Sequence, residues 1–364
     1  MPFYNRLFWE IKNPVDRKRA AARLRALRAL IRKNVAAKRL QDRLLIATWN
    51  LRDFDNNQYG HGYRLPESLF YIAEVISAFD IVAVQEINED MKSFERLMKI
   101  LGPDWDFIAT DVTAGHGGNG ERMTFVYDKR KVRFCNIAGE IVLPKTKRIR
   151  GDIQFARTPF LVAFQAGWLK YNLCTVHIYY GAKSGAKMKR RIDEIDAIAE
   201  FLADRAKAAD ENFVILGDFN IVDPTHKTMA ALEHHGFFIP PELKKKPTNM
   251  FQTNHYDQIS FKVKPEQLQF VGEKKSSGAL PIYDAVFRNN DADFKAYFDF
   301  MTPELRDFDD KGKKRTAAGR RDYYWRKWRT WQMSDHLPMW IELQIDFSQD
   351  YLKHVEARSA EEIG

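Results

Sequence analysis

The sequence predicts an α/β fold built in layers, and three observations carry that reading. Short runs rich in Ile, Val, Leu and Phe recur along the chain, each long enough for one strand. Longer stretches of helical period separate several of them, so strands and helices interleave. Polar motifs stand at the ends of the apolar runs, and strand ends in a layered fold converge on one edge. With 364 residues, 45% hydrophobic and 13% aromatic, the chain can build a core of roughly 250–300 residues plus an appendage.

The elements follow in order. Residues 1–43 form a basic extension, with 13 Lys and Arg against 3 Asp and Glu, whereas the whole chain carries +9, which leaves residues 44–364 nearly neutral. From Val15 to Arg43, Leu24, Leu27, Ile31 and Val35 recur at three- and four-residue spacing. That predicts an amphipathic helix, with Pro14 near its first turn. Such a helix could dock on the domain with a solvated basic face, clamp nucleic acid, or meet a membrane surface or a partner helix. The main domain is expected over 44–345. Its predicted strands are 44–49, 80–85, 106–110, 122–128, 158–166, 171–178, 213–217, 256–262 and 338–344. Predicted helices cover 66–78, 91–101, 186–208 and 225–235, the third striped by Ile192, Ile195, Ile198, Phe201 and Leu202. Residues 273–333 read as an insertion, aromatic and charged, and 346–364 as a C-terminal tail. No repeat of fixed period is present.

Composition excludes some classes. No apolar run approaches the roughly 20 residues that a membrane-spanning helix needs. After Leu7, Phe8 and Trp9 the chain turns charged, which is not a secretory leader. Cys135 and Cys174 do not make a disulfide framework and read as buried thiols. A soluble, cytoplasmic protein is expected.

Seven strand-end motifs carry the chemistry: ATWN ending at Asn50, VQEI with Glu86, GERMTFVYD with Glu121, TVHI with His177, ILGDFN with Asp218 and Asn220, YDQI with Asp257, and SDHLP with Asp335 and His336. Phosphodiester hydrolysis needs charge stabilisation on the phosphate, an oriented water and a proton for the leaving oxygen. Carboxylate and amide oxygens suit a hard cation such as Mg²⁺, and histidine titrates where proton transfer is useful. Singly, each residue has an ordinary explanation, since Asn or Asp after a strand commonly forms a turn or caps a helix. The joint pattern argues against seven such coincidences.

In that order, the motifs resemble those of the endonuclease/exonuclease/phosphatase superfamily across roughly 44–345. The resemblance implies a four-layered α/β sandwich, two packed β-sheets flanked by helices, with the active site at one edge. The pancreatic deoxyribonuclease branch is the most similar, on GERMTFVYD (Glu121), on FARTPFLVAF, which puts Arg157 at the phosphate, on TVHI (His177) and on YDQI (Asp257). It implies two carboxylate–histidine pairs, Glu121 with His177 and Asp257 with His336. It further implies Asn50, Glu86 and Asp335 as holders of Mg²⁺ or Mn²⁺, with Asp218 and Asn220 orienting the water and a phosphate oxygen. A carboxylate on one ring nitrogen fixes the tautomer and favours the imidazolium. We take His336 as base and His177 as acid. The chain departs from secreted members of that branch, which carry a signal peptide and usually disulfides.

Three basic stretches could meet a polyanion: Lys183 to Arg191, with Lys187 and Arg190 as candidate phosphate contacts, Lys145 to Arg150, and Lys313 to Arg321. The last leads into Tyr323, Tyr324, Trp325 and Trp328, which could stack bases or cover the core. The expected activity is a divalent-metal-dependent endonuclease on nucleic acid, DNA before RNA, with low sequence specificity. The alternatives are a phospholipid phosphodiesterase or inositol-phosphate phosphatase of the same fold, and a catalytically silent nucleic-acid-binding protein.

Overall fold

A computed structural model describes the chain except for residues 114–119, 152, 265–266, 273–274 and 364 and the side chains of 360–363. Two β-sheets pack face to face. The first contains β1 (Arg43–Phe54), β2 (Ile81–Asn88), β3 (Trp105–Ala109) and β4 (Glu121–Asp128). The second is made of β5 (Arg133–Glu140), β6 (Phe160–Ala166), β7 (Leu169–His177), β8 (Phe213–Asp218) and β9 (Asp257–Lys262). The chain then returns to the first sheet through β10 (Gln269–Phe270), β11 (Ser277–Ala279) and β12 (Met339–Gln344). The strand orders are β10-β12-β1-β2-β4-β3, with β11 also on β12, and β5-β6-β7-β8-β9. Only β1/β2 and β7/β8 pair in parallel. Helices Pro14–Asn34, Pro66–Ile76 and Lys92–Leu101 cover the outer face of the first sheet, and Gly185–Ala209 and Lys227–Glu233 cover the second. This is the expected four-layered sandwich.

Each strand read from the apolar runs is present, with ends displaced by a few residues. Three strands escaped the sequence reading: the short β10 and β11, and β5. β5 is an edge strand with a register shift between Phe134 and Ala138 and with Asn136 at φ 61°, so its side-chain alternation is broken. Cys135 lies on it and is only half-buried, which corrects the expectation of two buried thiols; Cys174 is buried.

The N-terminal helix also differs from expectation. It ends at Asn34, not Arg43. The Asn13 side chain caps its start, and at Val35 the backbone turns extended (φ −108°, ψ 141°). The turn buries Val35 and lets Lys38 reach Asp80 (3.2 Å) and Asp128 (3.0 Å) beneath the first sheet. The helix is docked, with Ala20, Leu24 and Leu27 buried in the cluster that contains helix Pro66–Ile76. The aromatics of 273–333 do the same work: Tyr297, Tyr323, Tyr324 and Trp328 are buried there, and Trp331 is nearly so. The first two residues of that insertion lie outside the described residues. Residues 346–364, read as a tail, hold the helix Ser348–Ile363.

Truncating Leu27 tests the docking. Leu27→Ala is expected to lower the unfolding free energy by about 2–5 kcal/mol, read from urea or guanidinium titration, because it leaves a cavity in that cluster. An unchanged midpoint would mean that the extension is not packed.

Candidate active site

Strand register assembles the site. His177, Asp218 and Asp257 are consecutive cross-strand partners at the ends of β7, β8 and β9, so three chemical side chains stand in one row. From the facing sheet, Asn50 pairs with Gln85 across β1 and β2, and Asn88 pairs with Glu121. Glu86 sits in the register shift between Val84 and Ile87 with φ 63°, a left-handed backbone that turns its carboxylate off the normal alternation. Gln85 ties the two sheets beneath the row, donating to Thr48 Oγ1 (3.1 Å) and to Thr175 Oγ1 (2.8 Å).

The two expected pairs are formed. His177 Nδ1 lies 2.9 Å from Glu121 Oε2, and His336 Nδ1 lies 2.7 Å from Asp257 Oδ2. Both rings then aim their other nitrogen at the same atom: His177 Nε2 and His336 Nε2 are each 3.6 Å from Asp218 Oδ2. Arg157 pairs with the remaining oxygen of Glu121. Asn50 Nδ2 donates to Glu86 (2.7 Å) and to Asp218 (3.1 Å). The backbone of Asn220, at φ 52°, donates to Asp218 Oδ1 at 2.9 Å, and its side chain donates to Ile178 O at 2.8 Å. Asp335 stands half exposed at the rim, 3.6 Å from Arg52 Nη1. All of these residues therefore meet at one edge.

The electrostatics follow from burial and neighbours. Burial works against protonated His336, but Asp257 and Asp218 outweigh it and raise the ring well above its ordinary value. Burial and Arg157 oppose protonation of His177, and Glu121 and Asp218 overcome them. Asp218 stays below its usual range despite burial, because His336 and His177 face it. Glu86 moves the other way: burial first, then Glu121, push it up.

Several further residues support this arrangement. Arg191 is buried and donates to Tyr180 O (2.9 Å) and Asn220 O (3.0 Å), bracing the loops behind His177 and Asp218. Glu194 accepts from Ala156 N and Tyr179 N, both at 3.2 Å, so one helix positions the Arg157 and His177 loops. Ser334 Oγ donates to Asn50 O (2.6 Å) and accepts from His336 N (2.9 Å). Arg191 belongs to the basic stretch read as a possible polyanion contact, whereas Glu194, on the same helix, has no role in that reading.

Two candidate phosphate contacts do not join the cluster. Arg190 is held by Glu194 at 3.0 Å and stacks on Tyr179 at 4.4 Å, which neutralises and turns it away. Lys187 is exposed and makes no hydrogen bond to the cluster. In the other basic stretches Lys145, Lys313 and Lys314 are exposed, and several neighbours are ion-paired. Lys147 pairs with Glu200, Arg150 with Asp193, and Arg320 with Asp307.

Paired carboxylate–imidazole groups converging on a third carboxylate define a phosphoester hydrolase site of the two-sheet sandwich type. The chain belongs to the Endonuclease/Exonuclease/phosphatase family, whose model matches residues 47–337. Three solved structures illustrate the fold. A functionally unknown conserved protein from Enterococcus faecalis is 15% identical, covering 83% of this chain and 100% of its own, with a TM-score of 0.53. A mannosyl-6-phosphatase from Bacteroides thetaiotaomicron is 18% identical over 82% and 99%, also at 0.53. The human Nocturnin catalytic domain with bound sulfate is 13% identical over 85% and 97%, at 0.51. No curated protein matches the sequence.

The family implies a divalent metal, and the donor set fits one. Glu86 is crowded by Glu121; among the described residues its partners are the Asn50 amide, the Asp53 N–H and His177 Nε2 at 3.8 Å, and no Lys or Arg pairs with it. A carboxylate held against its own ionisation, beside an amide and a second carboxylate at the rim, offers the hard oxygen donors that Mg²⁺ or Mn²⁺ takes. Binding should raise the melting temperature of wild type by linkage. Glu86→Gln should abolish that rise while leaving the metal-free protein close to wild type in stability, since it relieves the repulsion from Glu121. An equal metal-induced shift in the variant would place the ion elsewhere.

Proposed function

We propose that this chain is a divalent-metal-dependent phosphodiesterase that cleaves nucleic acid internally, DNA before RNA and with little sequence preference. The observation that carries the reading is the pair of imidazole nitrogens, each 3.6 Å from Asp218 Oδ2 and each backed by its own carboxylate. Two proton-transfer groups no more than twice that distance apart can bracket a phosphoryl group undergoing in-line displacement.

In this mechanism Asp218 fixes the water between the rings, and the neutral form of His336 takes its proton; because, against burial, Asp257 and Asp218 raise that ring's value, the competent form grows as pH rises. His177, held protonated by Glu121, gives a proton to the leaving oxygen. Arg157 faces the phosphate from beside Glu121, and the Asn220 loop supports a phosphate oxygen. Asn50, Glu86 and Asp335 would hold the ion, which when bound supplies positive charge to the phosphate. Glu121, Arg157 and His177, all matching the deoxyribonuclease-like pattern, support nucleic acid over phospholipid or inositol phosphate. The two unpaired cysteines suit a reducing, cytoplasmic compartment. Among the described residues no helix is long and apolar enough to cross a membrane.

Supercoiled plasmid, single-stranded DNA and RNA incubated with Mg²⁺, Mn²⁺ or EDTA test the substrate. Metal-dependent nicking of plasmid is expected. No cleavage of any of them, with turnover of phosphatidylinositol or inositol phosphates, would overturn the nucleic-acid reading and keep the hydrolase.

The acid role has its own test. His177→Ala should lose about 10²- to 10⁴-fold on DNA, but far less on a nitrophenyl phosphodiester, whose leaving group needs no proton. A larger loss on the activated ester would assign His177 another role.

A further inference from the structure

The basic extension divides into two populations. Arg19, Arg23, Arg28 and Lys38 are consumed inside the fold, by Glu67, Asp293, Glu74 and the Asp80–Asp128 pair. Lys12, Lys18, Arg25, Arg32 and Lys33 are exposed, and their side chains make no hydrogen bond or ion pair among the described residues. Lys18, Arg25 and Arg32 are seven residues apart on helix Pro14–Asn34, which stacks them in one row about 21 Å long. Ala22, Ala26 and Ala29 stand exposed between them, opposite the buried Ala20, Leu24 and Leu27.

The row ends in an apolar cluster. Phe8, Trp9 and Val15 are 66%, 61% and 71% exposed. The acidic groups nearby are already engaged: Glu10 with Arg6 and Arg96, Asp16 with Arg19. One face therefore carries uncompensated cations beside protruding Phe and Trp, on a molecule whose remaining residues are nearly neutral.

We propose that this face docks on an anionic lipid bilayer, with the cation row over the head groups and Phe8 and Trp9 entering the interfacial region. Basic side chains on one helix beside aromatic side chains on the short helix Leu7–Glu10, with no spanning helix among the described residues, suit peripheral attachment. Nucleic acid is the weaker fit. The Arg17 guanidinium already covers one face of the Phe8 ring at 4.7 Å, so that ring is not free to sit between bases, and Val15 offers nothing to a phosphate backbone.

Cosedimentation of the full chain with phosphatidylcholine vesicles, with and without phosphatidylglycerol, tests this. Binding is expected only to the anionic vesicles, and high salt should weaken it. Lys18→Glu, Arg25→Glu and Arg32→Glu together should reduce partitioning by roughly 100-fold. Phe8→Ala with Trp9→Ala should reduce it at unchanged charge. Hydrolysis of a soluble phosphodiester should not move in either variant, because these side chains stand away from the site, and melting temperature should not move in the charge-reversed one. Three results would overturn the proposal: no binding to anionic vesicles, equal binding to neutral ones, or wild-type binding by the charge-reversed variant. Duplex DNA binding or self-association that only the charge-reversed variant loses, with vesicles ignored, would reassign the face to nucleic acid or to a second copy.

Discussion

One carboxylate, Asp218, sets the geometry of this molecule's working edge. It is buried at the end of a central strand, and two imidazoles from different elements point their free nitrogens at a single one of its oxygens. That arrangement needs β7, β8 and β9 in their observed register, since a slip of one residue would turn His177 or Asp257 to the other face. It also needs the close approach of β7 and β8 at Gly217. There φ is 141° and an added Cβ would fall 2.1 Å from Val176 O, so glycine is the residue the pairing tolerates. The inter-sheet bonds of Gln85 then bring Glu86 and Asn50 within reach.

Much of this edge was legible from the sequence, for a physical reason. An apolar run that ends in Asn, Glu, Asp or His announces both a strand and the point where it leaves the core, so Asn50, Glu86, Glu121, His177, Asp218, Asp257 and His336 could be placed before their contacts were known. The stripe of Ile192, Ile195, Ile198, Phe201 and Leu202 marked the buried face of helix Gly185–Ala209, but not that it continues back through the charged Arg191 and Glu194. Arg190, Arg191 and Glu194 share one short basic run, and only packing shows that Arg191 and Glu194 brace the catalytic loops while Arg190 is neutralised. Neither Lys187 nor Arg190 joins the cluster. The edge strand β5 was lost because its bulge and exposed residues erase the period-two signal.

The regions outside the minimal domain have separate duties. The insertion after β11 buries Tyr297, Tyr324 and Trp328 against the helical layer, and Tyr283 donates to Ser334 O at 2.5 Å, steadying the loop that carries Asp335 and His336. The N-terminal helix extends the same layer with its apolar face. Its opposite face carries the exposed Lys18, Arg25 and Arg32.

The central claim is that Asp218 and His336 act as one unit. A double-mutant cycle measures this directly: hydrolysis of a soluble activated phosphodiester by wild type, Asp218→Asn, His336→Gln and the double variant, compared as kcat/KM. If the two groups act together on one water, the double variant should be scarcely slower than the more damaged single variant. Losses that multiply would show that the two residues contribute independently, and would contradict the account.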